Sequence, residues 1–209
     1  MSGFQRRYTA RAMDVPRIVL ASTSRYRREL LQRLRLPFDV QAPNVDESVE
    51  GGEAPRQTAL RLAVAKARAV YAIVPGTVVI GSDQVVELDG AALGKPIDHA
   101  SALAQLERMQ GREVVFHTAL AVLGPQPDRL QVDCVPTIVT MRSLPRAALD
   151  HYLHSDQPYD CAGAAKIESL GIVLVEQVQS DDPTALVGLP LIRLTSMLTA
   201  AGVVILPLD

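Results

Sequence analysis

Three hydroxyl side chains, Ser22, Thr23 and Ser24, follow the apolar run Ile18-Val-Leu-Ala21 and are followed in turn by Arg25, Arg27 and Arg28. Hydroxyls and guanidiniums at a helix start, where backbone N–H groups are free and the dipole is positive, make a receptor for an oxyanion. Further along stand Asp46, Glu47, Lys66, Asp83 and Lys95. Together these are the parts phosphoryl transfer requires: cations to neutralise phosphate charge, carboxylates to hold a divalent metal, and a base for water.

Taken singly, each residue has a duller reading. Arg27 and Arg28 fit a solvated helix face, and Asp46 with Glu47 fits an ordinary polar loop. Lys66 falls in an apolar helical stripe with Ala59, Leu62 and Val70; it either snorkels to the surface or projects into a site that needs a cation. Other chemistries lack their motifs: there is no GxxxxGK[ST] loop, GxGxxG, HExxH or GxSxG. His151 and His154 share a helix face but read as a surface pair, because a metal site needs further ligands.

The elements that must position these residues follow from periodicity. Ile18 to Leu20 is a short strand, and the Tyr26, Leu30, Leu34 stripe predicts a helix that Leu36-Pro37 ends. Phe38 to Gln41 is a second strand, Asn44 to Gly52 a loop, and Pro55 opens a helix. Thr77 to Ile80 is a strand with Gly81-Ser-Asp-Gln84 at its carboxyl end, where open α/β sheets place ligands. Val85 to Leu93 reads as a hairpin about Asp89-Gly90 that returns Lys95 to the same region. A helix from Asp98 to Gln110, strands from Glu113 to Leu123 and Leu130 to Met141, and a helix through His154 come next. A small-residue loop from Asp160, a strand from Ile172 to Val178, a short helical segment after Pro183 and a last helix ending before Gly202 complete the pattern. Strands and helices joined by both crossovers and hairpins imply an α/β fold around a twisted mixed sheet.

The chain has 209 residues, 48% of them hydrophobic, enough for one domain or two small lobes. A net charge of -2 and a pI near 6.1 argue against a nucleic-acid coat, and 4% aromatics with no Trp against an RNA-stacking surface. No apolar run approaches a membrane span, and the arginine-rich start lacks a signal core, so a cytoplasmic protein is expected. Cys134 and Cys161 are expected as reduced thiols. Residues 1–16 read as a disordered or extra extension, and residues 17–209 as a single catalytic domain.

Six ordered motifs carry a family resemblance: Leu20-Ala-Ser-Thr-Ser-Arg-Tyr-Arg-Arg-Glu-Leu30, Val45-Asp-Glu-Ser48, Arg61-Leu-Ala-Val-Ala-Lys-Ala67, Gly81-Ser-Asp-Gln84, Gly94-Lys-Pro96 and Val187-Gly-Leu-Pro-Leu191. Together they resemble the Maf family of nucleotide pyrophosphatases, from about Ile18 to the final helix. The resemblance implies an α/β fold shared by Maf and inosine triphosphatase proteins, a twisted mixed sheet flanked by helices, with two lobes around an elongated cleft. It also implies a hydrolase of acid anhydrides, a divalent cofactor (Mg2+ or Mn2+), frequent homodimers, and neither nucleic acid nor membrane as partner.

Within the family the chain is most similar to members that act on 7-methyl-GTP, judged by Ser22-Thr-Ser24, Gly81-Ser-Asp-Gln-Val85 and Cys161-Ala-Gly163 with Lys166 and Glu168. That implies metal-assisted attack of water at the α-phosphorus, giving 7-methyl-GMP and diphosphate. By the same motifs Asp83 corresponds to the proton acceptor, and Tyr26, Gln84 and Glu168 to positions that set base specificity. Arg27, Lys66 and Lys95 then stabilise phosphate charge, Ser22 and Arg28 bind substrate, and Glu47, with Asp83 sharing the duty, is the metal ligand. At Ala164-Ala165 the chain departs from a subgroup pattern of a serine and an aromatic, which implies a wider base pocket. The competing expectations are a family member acting on dTTP and UTP or on 5-methyl-CTP, and a non-catalytic nucleotide-binding regulator of cell division.

Overall fold

The computed structural model describes residues 16–206, so nearly all of the expected N-terminal extension lies outside the described residues. One seven-stranded sheet organises them, in the order β2-β1-β3-β5-β6-β7, with β4 also paired to β3. The strands are β1 (Ile18–Ala21), β2 (Phe38–Val40), β3 (Val78–Leu88), β4 (Ala91–Leu93), β5 (Glu113–Leu123), β6 (Leu130–Met141) and β7 (Val175–Gln179). The helices are α1 (Arg25–Gln32), α2 (Pro55–Ile73), α3 (His99–Met109), α4 (Arg146–Asp156) and α5 (Leu191–Ala200). β2 and β3 run parallel to β1, and all other pairings are antiparallel.

Alternation along the strands sorts the core. Even-numbered residues of β1, β3 and β5, such as Leu20, Ile80 and Leu120, pack with Leu30, Leu31, Leu194 and Leu198 of α1 and α5. Odd-numbered ones, such as Val19, Val79 and Ala121, pack with Ala59, Ala63, Ala67 and Val70 of α2 on the opposite face. At the far end of the long strands Val86, Leu88, Phe116 and Val139 join Leu103, Leu106, Leu149 and Leu153 of α3 and α4 in a third cluster.

One strand differs from expectation in a way that matters for the site. β3 does not stop at Ile80; it runs unbroken through Gly81-Ser-Asp-Gln84 to Leu88. The segment has poor strand propensity, but β5 pairs with it continuously from Val79 to Glu87, and tertiary pairing overrides local preference. With that edge of β3 occupied by β5, β1 and β4 share the other. The β1 ladder ends at Ala21 opposite Gly81, and the β4 ladder begins at Val86 opposite Leu93. Ser82 to Val85 therefore face a gap in the sheet.

Two smaller corrections are local. α1 ends at Gln32 rather than near Leu36, and a turn with Arg35 at φ 54° carries the chain into β2. The strand expected from Ile172 starts only at Val175, because Leu170–Leu174 coils as a 3-10 turn and the β6 ladder reaches no further than Val175.

Candidate active site

The gap beside Ser82 to Val85 opens into a cleft of about 940 Å³. Its walls include Ser22 and Arg27 from the β1–α1 junction, Glu47 from the loop before α2, Lys66 of α2, and Asp83 and Gln84 of β3. Lys95 after β4 and Glu168 after α4 also line it.

At one end of the cleft, Lys66 sits between two carboxylates. Its Nζ lies 2.6 Å from Asp83 Oδ1 and 2.7 Å from Glu47 Oε1. The Lys66 side chain is only 6% exposed and that of Asp83 10%, whereas Glu47 is 52% exposed. The snorkelling reading of Lys66 is thereby corrected, because its buried ammonium is held by the buried Asp83 and the half-exposed Glu47 rather than standing free in water. Close helix packing makes this geometry. A Cβ at Gly81 would lie 2.2 Å from the Ala63 carbonyl oxygen and 2.8 Å from the Ala67 nitrogen, so glycine lets α2 lie directly on β3. Lys66 and Asp83 then face each other across that contact.

Arg27 is held from below. Its Nε donates to the Gly188 carbonyl at 2.9 Å, and Ser82 Oγ donates to the same oxygen at 3.1 Å. Gly188 has φ 113°, a conformation suited to glycine, and ends the 3-10 turn Ala185–Val187. Burial pulls the Arg27 pKa down while Asp83 and Glu47 oppose the change. Burial also works against Glu47 ionisation, but the Lys66 hydrogen bond and charge, with Lys95 and Arg27 further away, outweigh it and hold the carboxyl below its ordinary value. Ser22 is buried, and its Oγ accepts from the Ser24 N–H at 3.1 Å; Ser24 Oγ in turn caps α1 by accepting from the Arg27 N–H. Arg28 is exposed on the outer side of α1 and does not line the cleft.

Gln84 points to the opposite face of β3 from Asp83. Its Nε2 donates to Thr118 Oγ1 and to the carbonyls of Ala185 and Leu186 at 2.9–3.1 Å, and Thr118 Oγ1 donates to Ala185. These bonds pin the Ala185–Gly188 turn in the polar belt between the two hydrophobic clusters on that face.

The other end of the cleft carries Tyr26, Asp160, Cys161, Ala162, Ala165 and Glu168. Arg25 lies over the Tyr26 ring, 4.7 Å from its centroid, and donates to its hydroxyl. Partial burial raises the Glu168 pKa, with Asp156 and Asp160 adding to the rise and Lys166 opposing it. The loop bearing Glu168 is clamped: Tyr152 Oη donates to the Ala164 carbonyl and accepts from the Lys166 N–H, while Ser169 Oγ donates to Asp156 Oδ1 at 2.6 Å. Of the two departing alanines, Ala165 lines the cleft and Ala164 is fully buried. Burial and the nearby Asp160 and Glu168 push the Cys161 thiol up to about 12, so it stays protonated and is no nucleophile at neutral pH. Asp160, also on the cleft wall, is a residue to which the sequence reading gave no role; it directly precedes the Cys161-Ala-Gly163 motif.

The donor set suits a hard divalent ion. Glu47 and Asp83 each spend one oxygen on Lys66, and the second oxygen of each makes no hydrogen bond among the described residues. Two such carboxylates match the oxygen preference of magnesium or manganese.

An anion-receiving cleft with paired carboxylates at a gap in an open α/β sheet defines a protein built to handle phosphate esters or anhydrides. The chain belongs to the Maf family, the Maf-like proteins, whose family model matches residues 17–201. It is 56% identical over 190 residues to the 7-methyl-GTP pyrophosphatase of Albidiferax ferrireducens, covering 91% of this chain and 96% of that protein. It is 59% identical over 189 residues to the 7-methyl-GTP pyrophosphatase of Burkholderia orbicola, covering 89% and 90%. A solved structure, that of the Staphylococcus aureus Ham1 protein, overlaps 60% of this chain and 71% of its own with 17% identity and a TM-score of 0.43. No helix among the described residues is long and apolar enough to cross a membrane.

Proposed function

We propose that the chain hydrolyses 7-methyl-GTP to 7-methyl-GMP and diphosphate. The observation that carries the chemistry is the Lys66 ammonium held between Asp83 and Glu47 beside Arg27 and Lys95. The names of relatives more than half identical support the substrate. In this reading the triphosphate lies along the Ser22, Arg27, Lys66 and Lys95 wall, where positive charge offsets repulsion of the attacking oxygen. Asp83 accepts the proton of the water that attacks the α-phosphorus, and Lys66 fixes the orientation of its carboxylate. Glu47 and Asp83 would hold the magnesium or manganese ion, which when bound supplies further charge neutralisation to the phosphates.

Methylation at N7 leaves guanine cationic. Glu168 and Asp160 at the far end of the cleft then complement the base by charge, and Tyr26 offers an aromatic face. The two hydrophobic regions at either end of the long strands serve as two lobes of one catalytic domain on this reading, which also takes the protein to be cytoplasmic and homodimeric. The test is diphosphate release from 7-methyl-GTP, GTP, dTTP, UTP and 5-methyl-CTP, with and without a chelator. Faster release from dTTP, UTP or 5-methyl-CTP moves the chain to another substrate group within the family. Binding without release in every case, with divalent metal present, makes it a nucleotide-binding regulator.

A further inference from the structure

Away from the cleft, α3 and α4 pack side by side over the third hydrophobic cluster. His99, the first residue of α3, places its Nε2 2.8 Å from Asp150 Oδ1 of α4. His154 lies one turn beyond Asp150, on the same face of α4, with its Nδ1 3.6 Å from Asp150 Oδ2. The two imidazole rings are 4.4 Å apart between centroids, and one ligand atom from each of the three residues lies within 4.8 Å of the others. None of the three lines the nucleotide cleft.

We propose that His99, Asp150 and His154 form a binding site for a divalent late transition-metal ion such as zinc, separate from the carboxylate pair of the cleft. Two imidazoles and a carboxylate make the donor set of open zinc sites and discriminate against magnesium, which prefers oxygen ligands throughout. The hydrogen-bond partners of both rings are compatible with the tautomers that such a site needs. His154 Nδ1 lies 2.9 Å from the Asp150 carbonyl oxygen, a bond that places the proton on Nδ1 and leaves the Nε2 lone pair available. His99 Nδ1 lies 3.0 Å from Tyr159 Oη. In the tautomer with its proton on Nδ1, facing Tyr159, the His99 Nε2 lone pair is available beside the Asp150 carboxylate. Tyr159 is then the outer-shell partner that orients a ligating histidine. His154 is exposed, so an ion has an entry path from solvent. The spacing that seemed one ligand short in sequence is completed across the helix pair, and by Asp150 and His154 rather than by His151.

The experiment titrates zinc into the metal-stripped full chain against a chromophoric chelator, in wild type, His99→Gln, Asp150→Asn, His154→Ala and the control His151→Ala, with circular dichroism reporting folding. Cobalt(II) absorption in the visible reads the nitrogen donors directly. The expected result is one zinc equivalent in wild type and His151→Ala, weakened roughly tenfold or more in each ligand variant, with loss of the cobalt bands. No zinc binding in wild type, or equal binding in wild type and folded His154→Ala, overturns the proposal and leaves the cluster as a hydrogen-bonded link between the helices. His154→Ala removes an exposed side chain, so it keeps the test open if a more buried variant fails to fold.

Discussion

The space that a side chain would need at Gly81 is already taken by the Ala63 carbonyl oxygen, which a Cβ would approach to 2.2 Å. Backbone cannot give way as a flexible side chain can, so Gly81→Ala must push α2 off β3. A destabilisation of about 1–3 kcal/mol is expected from such overpacking. Ala63 is one turn from Lys66 and Gly81 two residues from Asp83, so nucleotide hydrolysis should fall more than the population of folded protein does. Thermal melts run beside diphosphate release check this, and a melting loss with unchanged specific activity of the folded fraction would sink it.

Lys66→Met keeps the apolar stem and removes the ammonium that joins Asp83 to Glu47. Two carboxylates then face each other without their shared cation. Turnover should drop by roughly 10²–10³-fold, the scale of losing one charge-stabilising donor, and the melting temperature should fall too, because a buried carboxylate loses its partner. Steady-state kinetics showing turnover within threefold of wild type would exclude Lys66 from the chemistry.

Asp83→Asn retains shape while removing the proton acceptor. Turnover should fall by roughly 10²–10⁴-fold, whereas nucleotide affinity measured by calorimetry with a non-hydrolysable analogue should change only a few-fold. A variant that turns over at the wild-type rate removes Asp83 as the base.

Glu168 bears on substrate choice rather than rate. Glu168→Gln should reduce the kcat/KM preference for 7-methyl-GTP over GTP by roughly ten- to hundredfold, the worth of a hydrogen bond to a charged group. The wild-type preference should also decline on acidification, because burial raises the Glu168 pKa and its carboxylate is lost earlier than that of an ordinary glutamate. An unchanged ratio in the variant would show that the base is read elsewhere.

Stability at low pH depends on the entrance to α2. Arg61 donates to both oxygens of Glu53 at 2.8 Å and, with Thr58, holds its carboxyl down at about 2. An unfolded glutamate titrates near about 4.3. A depressed folded value means that the stabilisation is complete above the unfolded pKa and disappears as pH falls through the folded one. Glu53→Gln should therefore melt below wild type at neutral pH, with the two curves converging between about pH 4 and pH 2. A constant gap down to pH 2 would show that the pair contributes nothing through ionisation.

Periodicity made most of the elements readable. The strands Glu113–Leu123 and Leu130–Met141 fall where their alternation put them, and α2 begins at Pro55 as expected. Lys66 stood out as a cation in an apolar stripe. Which partner it met was not visible, because Glu47 and Asp83 come from a loop and a strand 19 residues before it and 17 after it. Gly81-Ser-Asp-Gln84 looked like a loop since its residues are poor strand formers, and only the β5 ladder keeps it extended. Arg27 and Arg28 looked equivalent in sequence, yet the short α1 sends Arg28 outward and Arg27 onto the Gly188 carbonyl. His99 gave no signal, since its partners lie some fifty residues further along.

Adjacent residues of a strand point to opposite sides, and in β3 this happens at Asp83 and Gln84, where the sheet edge is bare. One peptide bond thus separates the carboxylate proposed to take the proton from the amide that pins the Ala185–Gly188 turn. Substitutions at Gln84 act first on the Ala185–Gly188 turn, while Asp83, Lys66 and α2 stay as they are, and reach the phosphate wall only through Gly188 and Arg27. Deleting a single residue just before Asp83 would exchange the two sides and cost both. On this strand a change of residue is felt on one face, whereas a change of count is felt on both.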